Sequence, residues 1–147
     1  RDAGIAAARG VMSVLVEHAV DVSFGDCDPA GIVFYPNYFR WMDATFHRLL
    51  REKAGGHARL CSEFGAVGIG LIDVGLNFRS PVRDGQRIVL RLTAIDWGTR
   101  SLTLRYQADL EGRTVLEGHE KRGIFVLREG RMTTIEVNPL REKIGSD

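Results

Sequence analysis

The sequence has little cysteine, no long apolar run and no excess of charge of either sign. Two cysteines in 147 residues, Cys27 and Cys61, could form one bridge but are too few for a disulfide-rich scaffold, which favours a reducing compartment and predicts a cytoplasmic location. No stretch approaches the roughly 20 apolar residues of a membrane helix, so we expect no membrane segment. Twenty basic residues against 19 acidic ones give a net charge of +1, which removes the electrostatic argument for nucleic-acid or membrane-surface binding.

The composition is that of an ordinary folded domain. Apolar residues make up 44% of the chain and charged residues 27%, and 147 residues suffice for one core without metals or disulfides. We expect residues 1–12, an Ala-rich run interrupted by Arg9, to be a flexible N-terminal segment. Residues 13–147 are then predicted to form a single domain.

The patterning predicts one long helix followed by several antiparallel strands. Pro36 suits the first position of a helix, Gly55 and Gly56 suit its end, and apolar side chains recur at helical spacing over residues 36–54. Alternating or β-rich segments predict strands over residues 15–24, 70–79, 86–96, 102–109, 114–127 and 131–137. Tight turns at residues 98–99, 111–113 and 129–130 favour antiparallel neighbours in a meander of four or five strands, and residues 59–68 are predicted to be a connection. An α+β domain follows, with a curved sheet wrapped around the helix.

The stretch with chemical potential is residues 24–41, FGDCDPAGIVFYPNYFRW. Asp26 and Asp28 lie just before the predicted helix, whose first N–H groups are unpaired and carry a partial positive charge. A base or nucleophile beside such groups is the minimum equipment for acyl transfer. Acidic residues before a helix also serve as caps or Asx turns, and this structural role is favoured for Asp26. Cys27 lacks a cationic neighbour in the sequence and is expected to be an inert thiol.

Other kinds of site find little support. The four histidines show no metal-ligand spacing, so we predict no metal site; they are His18, His47, His57 and His119. No serine lies in a G-x-S-x-G elbow. The glycines of residues 65–70 precede a predicted strand instead of opening a helix, which excludes a nucleotide loop.

Residues 23–43 resemble the signature of the 4-hydroxybenzoyl-CoA thioesterase family of hot-dog-fold acyl-CoA thioesterases, and the strand pattern extends the likeness over about residues 14–140. The resemblance implies a hot-dog fold with five to six strands around the central helix. It implies hydrolysis of an aryl or short-chain acyl-CoA, with the coenzyme A thioester as substrate and no cofactor. It also implies a homo-oligomer, either a dimer or a homotetramer built as a dimer of dimers, with the small-molecule acyl-CoA as its partner.

The resemblance also implies roles for individual residues. Asp28 matches the catalytic carboxylate, which attacks the thioester or activates a water, and the backbone N–H of Tyr35 matches the group that polarises the carbonyl. Asp43 matches a position that reads a polar substituent on an aryl acyl group. Ile69 stands where the hydroxybenzoyl enzyme carries a polar side chain, which implies a different acyl pocket, less suited to a hydroxyaryl group.

The coenzyme A contacts are implied at the turn after the third strand and at the start of the last strand. Arg100 and Ser101 lie in the turn, where relatives can be more basic, and Arg131 is a second candidate for the phosphates. For each arginine the alternative is a solvated surface charge.

Two other functions compete with hydrolysis. A non-catalytic hot-dog module that binds acyl-CoA would gain little from a carboxylate aimed at the carbonyl, so Asp28 argues against it. A hot-dog dehydratase or hydratase uses a histidine with an acid, and residues 24–41 contain no histidine.

Overall fold

A computed structural model of the chain describes residues 14–145. In chain order the elements are β1 (Val16–Asp21), a 3-10 turn (Phe24–Asp26), α1 (Pro36–Ala54), α2 (His57–Phe64), β2 (Gly68–Phe78), β3 (Arg87–Trp97), β4 (Leu102–Leu110), β5 (Arg113–Arg128), β6 (Arg131–Ile135) and α3 (Asn138–Ile144). The flexible segment predicted for residues 1–12 lies outside the described residues and stays a prediction.

Helix α1 has the bounds that the sequence predicts. Pro36 occupies its first turn, and Gly55 ends it in the left-handed conformation with φ of 82°, donating its N–H to the Leu50 carbonyl. Its buried stripe faces the sheet and is apolar apart from Thr45; it comprises Tyr38, Trp41, Met42, Thr45, Phe46, Leu49 and Leu50. The helix therefore supplies one half of the core.

Six antiparallel strands form one sheet in the order β1-β3-β4-β5-β2, with β6 paired to the end of β5. The inner side chains of β3 and β4 alternate as predicted and pack on α1; they are Ile88, Leu90, Leu92, Leu102, Leu104, Tyr106 and Ala108. The outer face carries ion pairs such as Arg91 with Glu17 and Arg105 with Asp96. The predicted curved sheet around one central helix is confirmed.

Three details of the prediction are wrong. Residues 59–68 are not merely a connection, because most of them belong to α2, a short helix that follows Gly56 and buries Leu60. The last strand ends at Ile135 and not at residue 137, and it is followed by α3, a short helix with Pro139 in its first turn that was not predicted. Strand β2 does not neighbour β3, since it pairs with β5 over the register Gly68↔Phe125 to Phe78↔Leu116.

The pairing of β2 with β5 has a consequence for the surface. The turn at Asp84 and Gly85 leads the chain across to the far side of the sheet, which leaves β2 as an edge strand. No helix within residues 14–145 combines the length and the apolar character needed to cross a membrane.

Candidate active site

The loop between β1 and α1 folds back on itself. Cys27 pairs with Val33 in a short antiparallel bridge, and the N–H of Asp28 donates to the Ile32 carbonyl at 2.9 Å. Gly31 turns the chain with φ of 82° and donates its N–H to the Asp28 carbonyl at 2.8 Å. This compact hairpin presents Asp28 at its turn and delivers the chain to the start of α1.

Asp26 has the structural role that the sequence favoured. Its carboxylate accepts hydrogen bonds from the N–H and hydroxyl of Ser23, at 2.9 and 3.0 Å, and lies 3.5 Å from the Arg40 guanidinium. Its carbonyl accepts from the Phe34 N–H and the Asn37 amide, both at 2.9 Å. Asp26 thus ties the hairpin to the first turn of α1.

Asp28 is half-buried and has one oxygen engaged. Oδ1 accepts a hydrogen bond from the Ala30 N–H at 2.8 Å, which is the Asx turn considered from the sequence. Among residues 14–145 no donor contacts Oδ2. The carboxylate is therefore oriented through one oxygen, and the other can accept a proton or approach a carbonyl carbon.

The N–H of Tyr35 lies at the N-terminus of α1. Pro36 has no N–H, and the N–H groups of Asn37 and Tyr38 donate to the carbonyls of Phe34 and Tyr35 at 2.9 and 3.1 Å. Within the described part of the chain, no acceptor engages the N–H of Tyr35. An unpaired N–H at the positive end of a helix is suited to stabilising an oxyanion.

An apolar groove of about 460 Å³ runs beside this loop. Its lining residues are Ile32, Val33, Tyr38, Phe78, Arg79, Ser80, Pro81 and Val82. Burial raises the pKa of Tyr38 to about 12, so its hydroxyl stays protonated at neutral pH. The aromatic rings of Phe34 and Tyr35 are exposed nearby and meet edge to face at 5.5 Å. The groove can accept an apolar group next to the hairpin.

Asp43 lies two turns into α1 and is bound by Arg122 of β5 at 2.8 Å. The Arg122 guanidinium also binds Glu120, which in turn accepts a hydrogen bond from the Tyr106 hydroxyl at 2.7 Å. Burial, together with the Glu120 charge, raises the pKa of Tyr106 well above its ordinary value. Burial would lower the pKa of Arg122, but the hydrogen bonds to Glu120 and Asp43 raise it, so the guanidinium remains charged.

The buried network of Tyr106, Glu120 and Arg122 is absent from the sequence prediction. A signal was present, because Glu120 and Arg122 occupy inward positions of a strand whose other inward residues, Leu116 and Ile124, are apolar. Two opposite charges on alternate inward positions indicate a buried pair.

The predicted coenzyme A contacts lie apart from the groove. The Arg100 guanidinium donates to the Thr134 carbonyl of β6, and the Ser101 carbonyl accepts from the Gly98 N–H at 2.8 Å. Arg131 is exposed at the start of β6, where it pairs with Arg128. The fold therefore brings the turn of Arg100 against the strand that Arg131 opens.

The cysteines and histidines form no metal centre in the described part of the chain. Cys27 and Cys61 are free thiols. Cys61 contacts His57 at 3.6 Å, and His57 accepts a hydrogen bond from the Ile69 N–H at 3.1 Å. Within residues 14–145 no three His, Cys, Asp or Glu side chains are grouped to hold a metal ion.

Comparison with known proteins finds that the sequence is similar to thioesterases. The sequence model of the thioesterase superfamily matches residues 30–117, a range that contains Tyr35, Asp43, Arg100 and Ser101 and begins just after Asp28. The chain is 28% identical to the 4-hydroxybenzoyl-CoA thioesterase of Pseudomonas sp. strain CBS-3 over 123 residues, which is 79% of this chain and 86% of that protein.

Solved structures agree with this similarity. The structure of the Pseudomonas enzyme superimposes with a TM-score of 0.78 at 25% identity, covering 88% of this chain and 98% of that one. A gentisyl-coenzyme A thioesterase superimposes with a TM-score of 0.66 at 32% identity, covering 73% of this chain and 87% of that one. The hot-dog fold predicted from the sequence is confirmed.

Proposed function

The chain belongs to the thioesterase superfamily, and from this membership we propose that it hydrolyses an aryl, hydroxybenzoyl-like or short-chain acyl-CoA thioester to the free acid and coenzyme A. It is an enzyme of the thioester-hydrolase class, as its relatives' names indicate. The observation that carries the proposal is one loop that holds an oriented carboxylate, Asp28, and the unpaired N–H of Tyr35 beside an apolar groove.

In this proposal Asp28 provides the chemical step. As a general base, its free Oδ2 takes a proton from water while the water oxygen bonds to the carbonyl carbon; the C–S bond then breaks and the departing thiolate takes that proton from Asp28 to leave as the thiol. As a nucleophile, the same oxygen bonds to the carbonyl carbon and expels the thiolate, and water hydrolyses the resulting anhydride. Both routes need the oxygen that the Ala30 N–H leaves unengaged.

Tyr35 supplies the electrostatic part of the mechanism. Negative charge develops on the carbonyl oxygen as the tetrahedral centre forms, and an N–H aimed at that oxygen stabilises it without reorganisation. The N–H lies at the positive end of a 19-residue helix, which adds to the stabilisation. Because Pro36 has no N–H, Tyr35 is the last residue before the helix that can donate at this point.

The remaining contacts are assigned to the two ends of the substrate. Arg100, Ser101 and Arg131 lie near β6 and are proposed to bind the phosphates of coenzyme A, with guanidinium groups suited to phosphate oxygens. Asp43 is proposed to face a polar substituent of the acyl group, since its carboxylate is half exposed. The exposed edge strand β2 supports a homo-oligomer, either a dimer or a tetramer.

The test is thiol release from a panel of aryl and short-chain acyl-CoAs by the wild type and Asp28→Asn. The amide keeps the size of the side chain and its oxygen for the Ala30 N–H but cannot act as base or nucleophile, so turnover should fall roughly 100-fold to 10,000-fold. Asp26→Asn is the matched control two residues away. It should cost much less activity, because that carboxylate is engaged by Ser23 and Arg40.

Circular dichroism and thermal melting establish that each variant is folded. A folded Asp28→Asn enzyme that turns over thioesters as fast as the wild type contradicts the assignment of Asp28. If the wild type binds acyl-CoA but cleaves none of the panel, the non-catalytic binding module replaces the hydrolase. Hydration of crotonyl-CoA would instead indicate the hydratase.

A further inference from the structure

A buried guanidinium connects the sheet to the exposed side of α1. Arg122 is 3% exposed, and its Nε and Nη2 donate to the two oxygens of Glu120, itself 1% exposed, both at 3.0 Å. Nη1 donates to the Ile69 carbonyl at 3.0 Å, and the guanidinium stacks 4.4 Å from the centre of the Phe46 ring. A side chain held on all these sides has one orientation.

The remaining contact of Arg122 fixes Asp43. Nη2 donates to Asp43 Oδ1 at 2.8 Å, and His47 Nε2 lies 3.6 Å from the same oxygen. The Asp43 side chain is 51% exposed, and within residues 14–145 no donor contacts Oδ2. We call the group of Arg122, Glu120 and Asp43 the corner. It presents one carboxylate oxygen of Asp43, at a defined place, to whatever lies next to α1.

The three ionised groups in direct contact, Arg122, Glu120 and Asp43, carry a net negative charge. Arg122 contributes +1, whereas Glu120 and Asp43 contribute −1 each, which leaves −1. His47 does not cancel it, because desolvation lowers the pKa of the imidazole more than the nearby Asp43 raises it. A neutral hydrogen-bond donor is attracted to such a corner, and a second carboxylate is repelled.

The rise of the helix gives the axial separation between the backbones of Asp43 and Tyr35. Eight residues at 1.5 Å each place Asp43 about 12 Å along the axis from Tyr35. With a hydrogen bond of about 3 Å at each end, an acyl group on the order of 6 Å long matches this axial separation. This is about the span of one six-membered ring with a substituent opposite the carbonyl.

We infer that Arg122 is a positioning residue: by holding Asp43 in one orientation within a negatively charged corner, it selects uncharged acyl groups that carry a hydrogen-bond donor remote from the thioester and disfavours those that carry a carboxylate. The inference rests on the proposed hydrolysis of acyl-CoA thioesters and on the place of Asp43 in the acyl site. Arg122 touches Asp43 and Glu120, and its effect on the substrate passes through Asp43.

The experiment compares kcat/KM for benzoyl-CoA, 4-hydroxybenzoyl-CoA and 4-carboxybenzoyl-CoA. A hydrogen bond to a charged group should favour the hydroxyl compound over the unsubstituted one about tenfold or more in the wild type, and the carboxyl compound should be the poorest of the three. Arg122→Lys keeps a positive charge beside Glu120 but cannot span Glu120 and Asp43 together. We expect it to lower the hydroxyl preference at least threefold while benzoyl-CoA turnover changes little.

A double-mutant cycle separates positioning from a general effect on folding. In an Asp43→Ala background, Arg122→Lys should leave the ratio of hydroxybenzoyl to benzoyl turnover unchanged. Arg122→Met combined with Glu120→Gln is a second variant that removes both buried charges and should also lower the ratio. Arg105→Lys, whose partner Asp96 lies on the outer face of the sheet, is the matched control and should leave the ratio unchanged.

The outcomes distinguish this inference from the proposed function. If the wild type cleaves these thioesters without preferring the hydroxyl compound, or prefers the carboxyl compound, the inference is overturned and the hydrolase stands. The inference is also overturned if Arg122→Lys lowers the ratio of hydroxybenzoyl to benzoyl turnover equally when Asp43 is present and in the Asp43→Ala background. If the wild type cleaves short-chain thioesters but no aryl thioester, the inference is likewise overturned and the hydrolase stands. If it cleaves no thioester, the proposed function itself is overturned.

Discussion

Asp26 and Asp28 are two positions apart in one hairpin, yet their carboxylates have different partners. The Asp26 carboxylate is engaged by Ser23, which precedes the hairpin, and by Arg40 of α1, whereas Asp28 lies at the hairpin turn with one oxygen bound by the Ala30 N–H. The structural role of Asp26 was favoured from the sequence because an acid before a helix commonly forms a cap or an Asx turn, whereas the role of Asp28 came from the family resemblance. The sequence could not indicate Arg122 as the partner of Asp43, since 79 positions separate the two residues.

At the same scale, His18 of β1 makes the stability of the fold depend on pH. Burial lowers the pKa of the imidazole, and the charges of Arg48 and Arg51 lower it further. The unfolded chain then binds a proton more readily, so stability is complete above the ordinary pKa of 6.5 and decreases as the pH falls below that value.

The measurement is urea denaturation of the wild type and His18→Gln at about pH 7 and about pH 5, on either side of the histidine titration. The wild-type midpoint should be lower at the acidic pH, and the glutamine variant should lose less. Equal losses in both proteins would show that His18 does not contribute. His119→Gln is a suitable control, because His119 lies on the outer face and contacts Asp73 at 2.9 Å.

At the scale of elements, the sequence predicted the elements whose bounds depend on neighbouring residues and missed those that depend on distant contacts. Helix α1 carries its own start and stop in Pro36 and Gly55, and its apolar stripe recurs over five turns, so its bounds were predictable. Helix α2 has eight residues and gains its stability mainly from packing Leu60 into the core, which no local pattern reveals. The pairing of β2 with β5 depends on a connection that crosses the sheet, and turn residues do not encode that direction.

The stop of α1 is a testable element. Gly55 has φ of 82°, and an added Cβ would also come within 2.6 Å of the Arg59 side chain. Gly55→Ala should therefore lower the free energy of unfolding by about 1 to 2 kcal/mol. Gly68→Ala is the matched control, since its Cβ would meet only His57, at 3.9 Å. Similar losses in both variants would mean that the left-handed cap is not the cause.

At the scale of the whole molecule, the sheet is asymmetric. The inner face is covered by α1, and the outer face carries ion pairs such as that of Arg79 with Glu117. Strand β2 is an edge, and it exposes apolar side chains: Leu71, Ile72, Val74 and Phe78. An exposed edge with apolar side chains is a surface that soluble proteins normally cover.

A second copy of the chain could cover this edge by pairing β2 with β2, which closes an isologous dimer. We therefore expect the protein to be at least dimeric in sedimentation equilibrium. Val74→Lys should shift it towards monomer, because the dimer would bring two lysines close to a buried interface. Leu127→Lys is the matched control, since Leu127 is an equally apolar, exposed residue of β5 outside the β2 edge.

The same two variants show whether the edge matters for catalysis. Phe78 of β2 lines the groove beside the Asp28 hairpin, so a partner seated on this edge would lie close to the acyl site. The thioesterase activity of Val74→Lys should then fall in proportion to the fraction of protein that remains dimeric, and it should recover as protein concentration rises. The activity of Leu127→Lys should match that of the wild type. A wild-type protein that is monomeric and fully active would contradict this arrangement, because the groove and the hairpin of one chain would then suffice.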